Sequence, residues 1–262
     1  MIPQNAIIEW SNYVGWKTNE QVEQDLVICR ALAEIFSNEF LANSLAFRGG
    51  TALHKLFLQP QSRYSEDIDL VQIRPEPIKE TILILQKVLS FLGQASVMQK
   101  NSNNTLKFRF NSELPPTQVL KLKVETNCRE HFTVLGFSKR EFTIQSMWYN
   151  RSCQITTYKL EELLGTKLRA LYQRKKGRDL YDIYKAITHT DIDIAEIVNC
   201  YRKYMTFSVQ QPPTRKQFLQ NIEAKIQTSA FTEDITAILS PTEKYDQYAA
   251  YEIVKKKLLQ LL

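Results

Sequence analysis

Apolar residues recur at helical spacing through Val22, Leu26, Val27, Leu32, Ile35 and Phe36. They predict an amphipathic helix from near Glu20 to about Phe40, with Asn19 as its cap. Residues 1–17 read as an extended lead-in whose Trp10, Tyr13 and Trp16 pack on the body. Leu45-Ala46-Phe47 is a short apolar run that predicts a strand, delivering the chain to Gly49-Gly50. A helix over Thr51–Leu58 follows, ended by Gln59-Pro60, then a strand over 67–73. Pro75 and Pro77 introduce a longer amphipathic helix with Ile82, Leu85, Val88, Leu89 and Leu92 on one face.

After Gly93 the period shortens to two. Val97, Leu106–Phe110 and Val119–Glu125 read as strands, with turns at Asn103-Asn104 and Pro115-Pro116. The last strand alternates strictly, setting Val119, Lys121, Lys123 and Glu125 on one face and Leu120, Leu122 and Val124 on the other. Beyond residue 158 the pattern is helical, with further helices near 191–205, 214–228 and 243–262 and breaks at Pro212-Pro213 and Pro241. The expectation is an α+β (α/β) fold class, a sheet domain over 1–155 and a mainly helical domain over 156–262.

Composition changes this picture little. With 262 residues, 44% of them hydrophobic and 24% charged, the chain can bury a substantial core. The net charge of +6 suits an anionic substrate without demanding nucleic acid. Cys29, Cys128, Cys153 and Cys200 show no metal or redox spacing, so reduced thiols and a cytoplasmic setting are expected. No run approaches the ~18 apolar residues of a membrane span.

The chemistry concentrates in two stretches. Gly49 and Gly50 let backbone approach a ligand closely, and the N–H groups of the following helix start suit a phosphate. Asp67 and Asp69, two apart on a strand, point to one face and repel each other unless a divalent cation sits between them. Such equipment suits a nucleoside triphosphate with Mg²⁺. Glu125 is either a third ligand or general base beside that pair, or a solvated edge residue. In the second stretch, Lys167, Arg174 and Arg178 accompany Asp179 and Asp182, which share a helix face. They are either phosphate-handling groups or a surface helix pair laced by exposed ion pairs. His54 reads as a surface or packing residue of the helix after Gly50, His131 and His189 lack partners at ligand spacing, and Ser65 lacks the arrangement of a nucleophile.

Gly49-Gly50-Thr51-Ala52-Leu53, followed by Arg63-Tyr64-Ser65-Glu66-Asp67-Ile68-Asp69, resembles the signature of the AbiEii/AbiGii toxin nucleotidyltransferases, a MenT-like group of the DNA polymerase β-like superfamily. Lys123–Glu130, Lys167–Leu171 and Arg178–Asp182 resemble that family's later motifs, so the likeness covers about 45–187. It implies a polymerase β-like mixed sheet with flanking helices, followed by a helical C-terminal part. It further implies metal ligands Asp67, Asp69 and Glu125, and an active site completed by Lys167 and Asp179. The triphosphate would be held by Gly49, Gly50 and Thr51, with Arg63, Ser65, Lys167 and Asp182 as further nucleotide contacts. The family's members are toxins of type IV toxin–antitoxin or abortive-infection pairs, and MenT-like ones extend the 3′ end of tRNA. An RNA acceptor, contacted by the basic segment 174–178, and a cognate antitoxin are therefore implied partners. The alternatives are a small-molecule nucleotidyltransferase and a nucleotide-binding module without turnover.

Overall fold

The computed structural model describes residues 2–100 and 102–262. The chain parts into two units, one running to Phe132 and joined by Phe137–Tyr158, the other made of Thr133–Gly136 and Lys159–Leu262.

The first unit is built on one seven-stranded mixed sheet. Its strands are β1 (Leu45–Arg48), β2 (Asp67–Gln72), β3 (Ser96–Lys100), β4 (Asn103–Asn111), β5 (Val119–Asn127), β6 (Phe137–Gln145) and β7 (Asn150–Tyr158), in the order β3-β4-β5-β2-β1-β7-β6. β1 runs antiparallel to β2, while β2 and β5 are parallel, in register Asp67↔Lys123 and Asp69↔Glu125. The central strands are apolar because both faces are covered: Leu45, Ala46 and Phe47 are fully buried. β5 alternates as its letters predict, with Leu120, Leu122 and Val124 inward.

Five helices belong to this unit: α1 (Gln4–Val14), α2 (Asn19–Ser37), α3 (Glu39–Ser44), α4 (Gly49–Leu56) and α5 (Lys79–Val88). α2 is buried along most of its length, and each large side chain it buries contributes about 1.5–3 kcal/mol. Its cap is Thr18, whose hydroxyl accepts from the Gln21 N–H, and not Asn19. The helix also stops at Ser37, because the Asn38 side chain accepts from Leu41 N–H and starts α3. A buried ion pair, Lys55 Nζ to Asp25 at 2.8 Å, clamps α4 to α2, and the Trp10 indole donates to the same carboxylate.

Two further expectations are corrected in this unit, and one element is added. Residues 4–14 are helical and not extended, since Ala6, Ile7 and Trp10 form a buried stripe and Gly15 ends the turn in the left-handed region. Asn103 and Asn104 belong to β4, paired with Asn127 and Thr126, and do not form a turn. The β6–β7 hairpin carried no strand expectation. It is polar on its outer face, with Phe142, Ile144 and Ile155 among the few apolar residues turned inward.

The second unit is helical: α6 (Leu160–Gln173), α7 (Gly177–His189), α8 (Ile194–Ser208), α9 (Arg215–Ile226), α10 (Ser229–Thr236) and α11 (Gln247–Lys257). α10 was not expected from the sequence. Glu162, fully buried, accepts from the N–H groups of Val134 and Leu135 and from the hydroxyls of Thr133 and Tyr204. Four donors satisfy that carboxylate and fasten the 133–136 segment to α6 and α8. Among the described residues, no helix is long and apolar enough to cross a membrane.

Candidate active site

β1 ends at Arg48, and Gly49 turns the chain into α4 with φ at +83°, where a side chain would be strained. Space forbids one as well: a Cβ on Gly49 would lie 2.2 Å from Asp69 Oδ2. The Asp69 carboxylate therefore rests directly on the glycine that opens α4. Thr51, buried in the first turn, donates through its hydroxyl to the Asp67 carbonyl and shares a 2.7 Å hydrogen bond with Ser65 Oγ. With the Thr51 proton committed to Asp67, Ser65 is the donor in that second bond. The pair ties the helix start to the strand that carries the acids.

Asp67 and Asp69 are partly exposed, while Ile68 and Leu70 between and after them are buried on the opposite face. The parallel register sets Lys123 beside Asp67 and Glu125 beside Asp69, so all four leave the sheet on one side. Glu125 accepts from Asn103 Nδ2 at 2.9 Å and pairs with Lys123 Nζ at 2.7 Å. Burial would lower the Lys123 pKa, but its bond to Glu125 and the charges of Asp67 and Asp69 outweigh burial and raise it. Arg48 pairs with the buried Glu130, and its pKa is raised against the cost of burial by Glu130, Tyr158 and Asp69.

The carboxylate pair fits a hard divalent ion. Mg²⁺ is commonly held by one or two carboxylates, with waters and substrate phosphates completing its shell, and the Asp67–Asp69 face beside the α4 entrance offers that donor set. A closed cage is not built: among the described residues, no three His, Cys, Asp or Glu side chains are gathered so as to hold an ion. Glu125 shares the face but is engaged by Lys123 and Asn103.

Arg63, expected as a nucleotide contact, is placed elsewhere. It is 1% exposed and donates to the Tyr64 carbonyl at 2.9 Å, so it belongs to the frame under the 62–65 segment. His54 is likewise a buried packing residue.

In the helical unit, Lys167 on α6 reaches Asp179 Oδ1 at 3.0 Å and Asp182 Oδ2 at 2.8 Å on α7. Arg174 grips Asp179 with a fork, Nε to Oδ2 at 2.6 Å and Nη2 to Oδ1 at 2.7 Å. Both aspartates are fully buried, so the exposed ion-pair alternative does not describe this cluster. Burial alone would raise the Asp179 pKa, but Lys167 and Arg174 overcome it and hold the carboxyl below its ordinary range. Burial lowers Lys225 to about 8, against the pull of Asp179, as it donates to the Leu171 and Tyr172 carbonyls. Of the cations at 174–178, Lys176 and Arg178 pair with Asp234 and Arg174 with Asp179, which weakens that turn as an RNA contact.

The family model described as nucleotidyl transferase AbiEii toxin, type IV toxin–antitoxin system, matches residues 30–252. The chain belongs to the AbiEii nucleotidyltransferase toxin family. The match extends beyond the 45–187 stretch that carries the motifs, taking in the last two turns of α2 and, after α7, α8 to α10 and the start of α11. No curated protein matches the sequence. Among solved structures, the chain is similar to MenT4, a nucleotidyltransferase toxin from Mycobacterium tuberculosis, at 17% identity and a TM-score of 0.67, over 98% of this chain and 88% of that one. It is also similar to JHP933 from Helicobacter pylori at 15% identity and a TM-score of 0.55, over 93% and 95%. These likenesses bear on the fold, a mixed sheet with flanking helices of the nucleotidyltransferase toxin type. As an AbiEii member the protein is a nucleotidyltransferase. Its family implies a nucleotide substrate, a divalent metal and an antitoxin partner.

Proposed function

We propose that this AbiEii protein transfers the nucleotidyl group of a nucleoside triphosphate to RNA, at the 3′ end of a tRNA, with Mg²⁺ held by Asp67 and Asp69. The observation that carries the reading is the seating of the Asp69 carboxylate on Gly49, at the mouth of α4 and on the same face as Asp67. The first N–H groups of a helix have no partner within it, so those of Gly50 and Thr51 are suited to the triphosphate. A divalent ion on the two aspartates would neutralise the phosphates and make the acceptor hydroxyl easier to deprotonate. Thr51 and Ser65 keep the helix start and the acid strand in fixed register.

In the helical unit, Asp179 and Asp182 fix the Lys167 ammonium in place, and the resemblance of these residues to the family's later motifs implies a part for Lys167 and Asp179 in the reaction. An RNA acceptor is what the resemblance to MenT-like members implies, and the excess of basic residues, net +6, suits so anionic a substrate. The test is incubation of the purified chain with Mg²⁺, tRNA and each of the four α-labelled nucleoside triphosphates. Label on tRNA, abolished by Asp69→Ala, is the expected result. No label on RNA from any of the four would remove the RNA acceptor, and label on a small molecule instead would favour the antibiotic- or metabolite-modifying alternative.

A further inference from the structure

Lys123 stands opposite Asp67 in the β2–β5 register and two residues before Glu125, so an ammonium group is planted on the acid face itself. Its Nζ is 2.7 Å from Glu125 Oε2, while Asn103, from β4, donates to Oε1 at 2.9 Å. Both oxygens of Glu125 are thus engaged by donors of the same unit. A divalent ion sharing Glu125 would stand beside a positive charge already bound to that carboxylate, and the two cations repel. Resting on the metal-dependent reading above, we infer that Lys123 is a positioning residue that competes with the divalent ion for Glu125. Its ammonium compensates the acid face until an ion displaces it.

The same strand supplies a control: Lys121 projects from the same face two residues earlier but is exposed, opposite Arg109, and has no carboxylate partner of this kind. Two consequences follow. The free protein binds divalent ions weakly, and the triphosphate, which brings negative charge of its own, helps the ion to win Glu125 from Lys123.

The test reads metal binding directly: Mn²⁺ titrated into the full chain without nucleotide, followed by loss of the free-ion electron paramagnetic resonance signal. Lys123→Met should bind Mn²⁺ about fivefold more tightly than wild type, as expected for releasing a half-exposed ion pair. Lys121→Met should change affinity by less than about twofold. Adding Glu125→Gln to Lys123→Met should erase the gain. Lys123→Gln should show the same order, so a folding defect peculiar to methionine would not decide the outcome. Equal or weaker binding by both Lys123 variants, or an equal gain from Lys121→Met, would overturn the competition while leaving the metal site standing. Absence of Mn²⁺ binding in wild type and every variant would overturn both readings together.

Discussion

Asp67 and Asp69 stand partly exposed on a strand face, with Lys123 as the neighbouring cation, whereas Asp179 and Asp182 lie fully buried on a helix face between Lys167 and Arg174. The residue types are the same and the treatment is opposite. In the helical unit two cations answer two anions, and the carboxylates are committed to them. On the sheet, the carboxylates stand on a solvent-reached face, open to a charge brought from outside. Buried charges must be paired or they destabilise strongly, while a solvent-reached face tolerates like charges close together and can use them. Stability effects should therefore concentrate in the helical unit and activity effects without instability on the sheet.

The largest stability loss is expected from Asp179→Ala, which strips Arg174 of its forked partner and leaves the buried Lys167 with Asp182 alone. Breaking a buried pair in this way costs about 3–5 kcal/mol, measurable by urea denaturation. A loss under ~1 kcal/mol would mean that the cluster is not the buried, mutually satisfied unit described. Next comes Gly49→Ala, where the left-handed φ costs about 1–2 kcal/mol and the new methyl must push Asp69 aside. Transfer activity should fall further than stability does, and activity equal to wild type would separate Gly49 from the reaction.

The pH dependence sharpens the same contrast. The Asp179 pKa is lowered in the folded chain, so its contribution is present above its unfolded value, near 3.8, and disappears as pH falls through the lowered one. Asp179→Asn should therefore flatten the acid limb of the stability–pH curve as well as lower the plateau, and an acid limb of unchanged steepness would count against the assignment. The smallest effect is expected from Asp69→Asn, which should shift stability by no more than ~0.5 kcal/mol or raise it slightly, because one like charge leaves a crowded face.

How far these regions can be read from the letters differs for the same physical reason. The glycine pair, the alternate aspartates and the alternation that carries Glu125 are local patterns, and each lands where its spacing predicts. Lys123 lies in plain view on that strand, but its place beside Asp67 depends on the β2–β5 register, a pairing of distant segments that periodicity does not report. The burial of Arg63 is not legible either, because a place beside a motif says nothing of exposure. The β6–β7 hairpin and α10 escaped because each buries few apolar side chains, leaving little amphipathic signal. Residues 4–14 carried a stripe that could have been counted, Ala6, Ile7 and Trp10 before a terminating glycine.

The account turns on Asp69 acting in the transfer and not in the frame. The decisive measurement is the rate of label transfer from α-labelled nucleoside triphosphate to tRNA by wild type and by Asp69→Asn, with the melting temperature of each recorded alongside. A loss of about a thousandfold or more at unchanged melting temperature is the predicted result, since several kcal/mol of charge stabilisation disappear. A variant that melts like wild type and transfers label at the wild-type rate would contradict it.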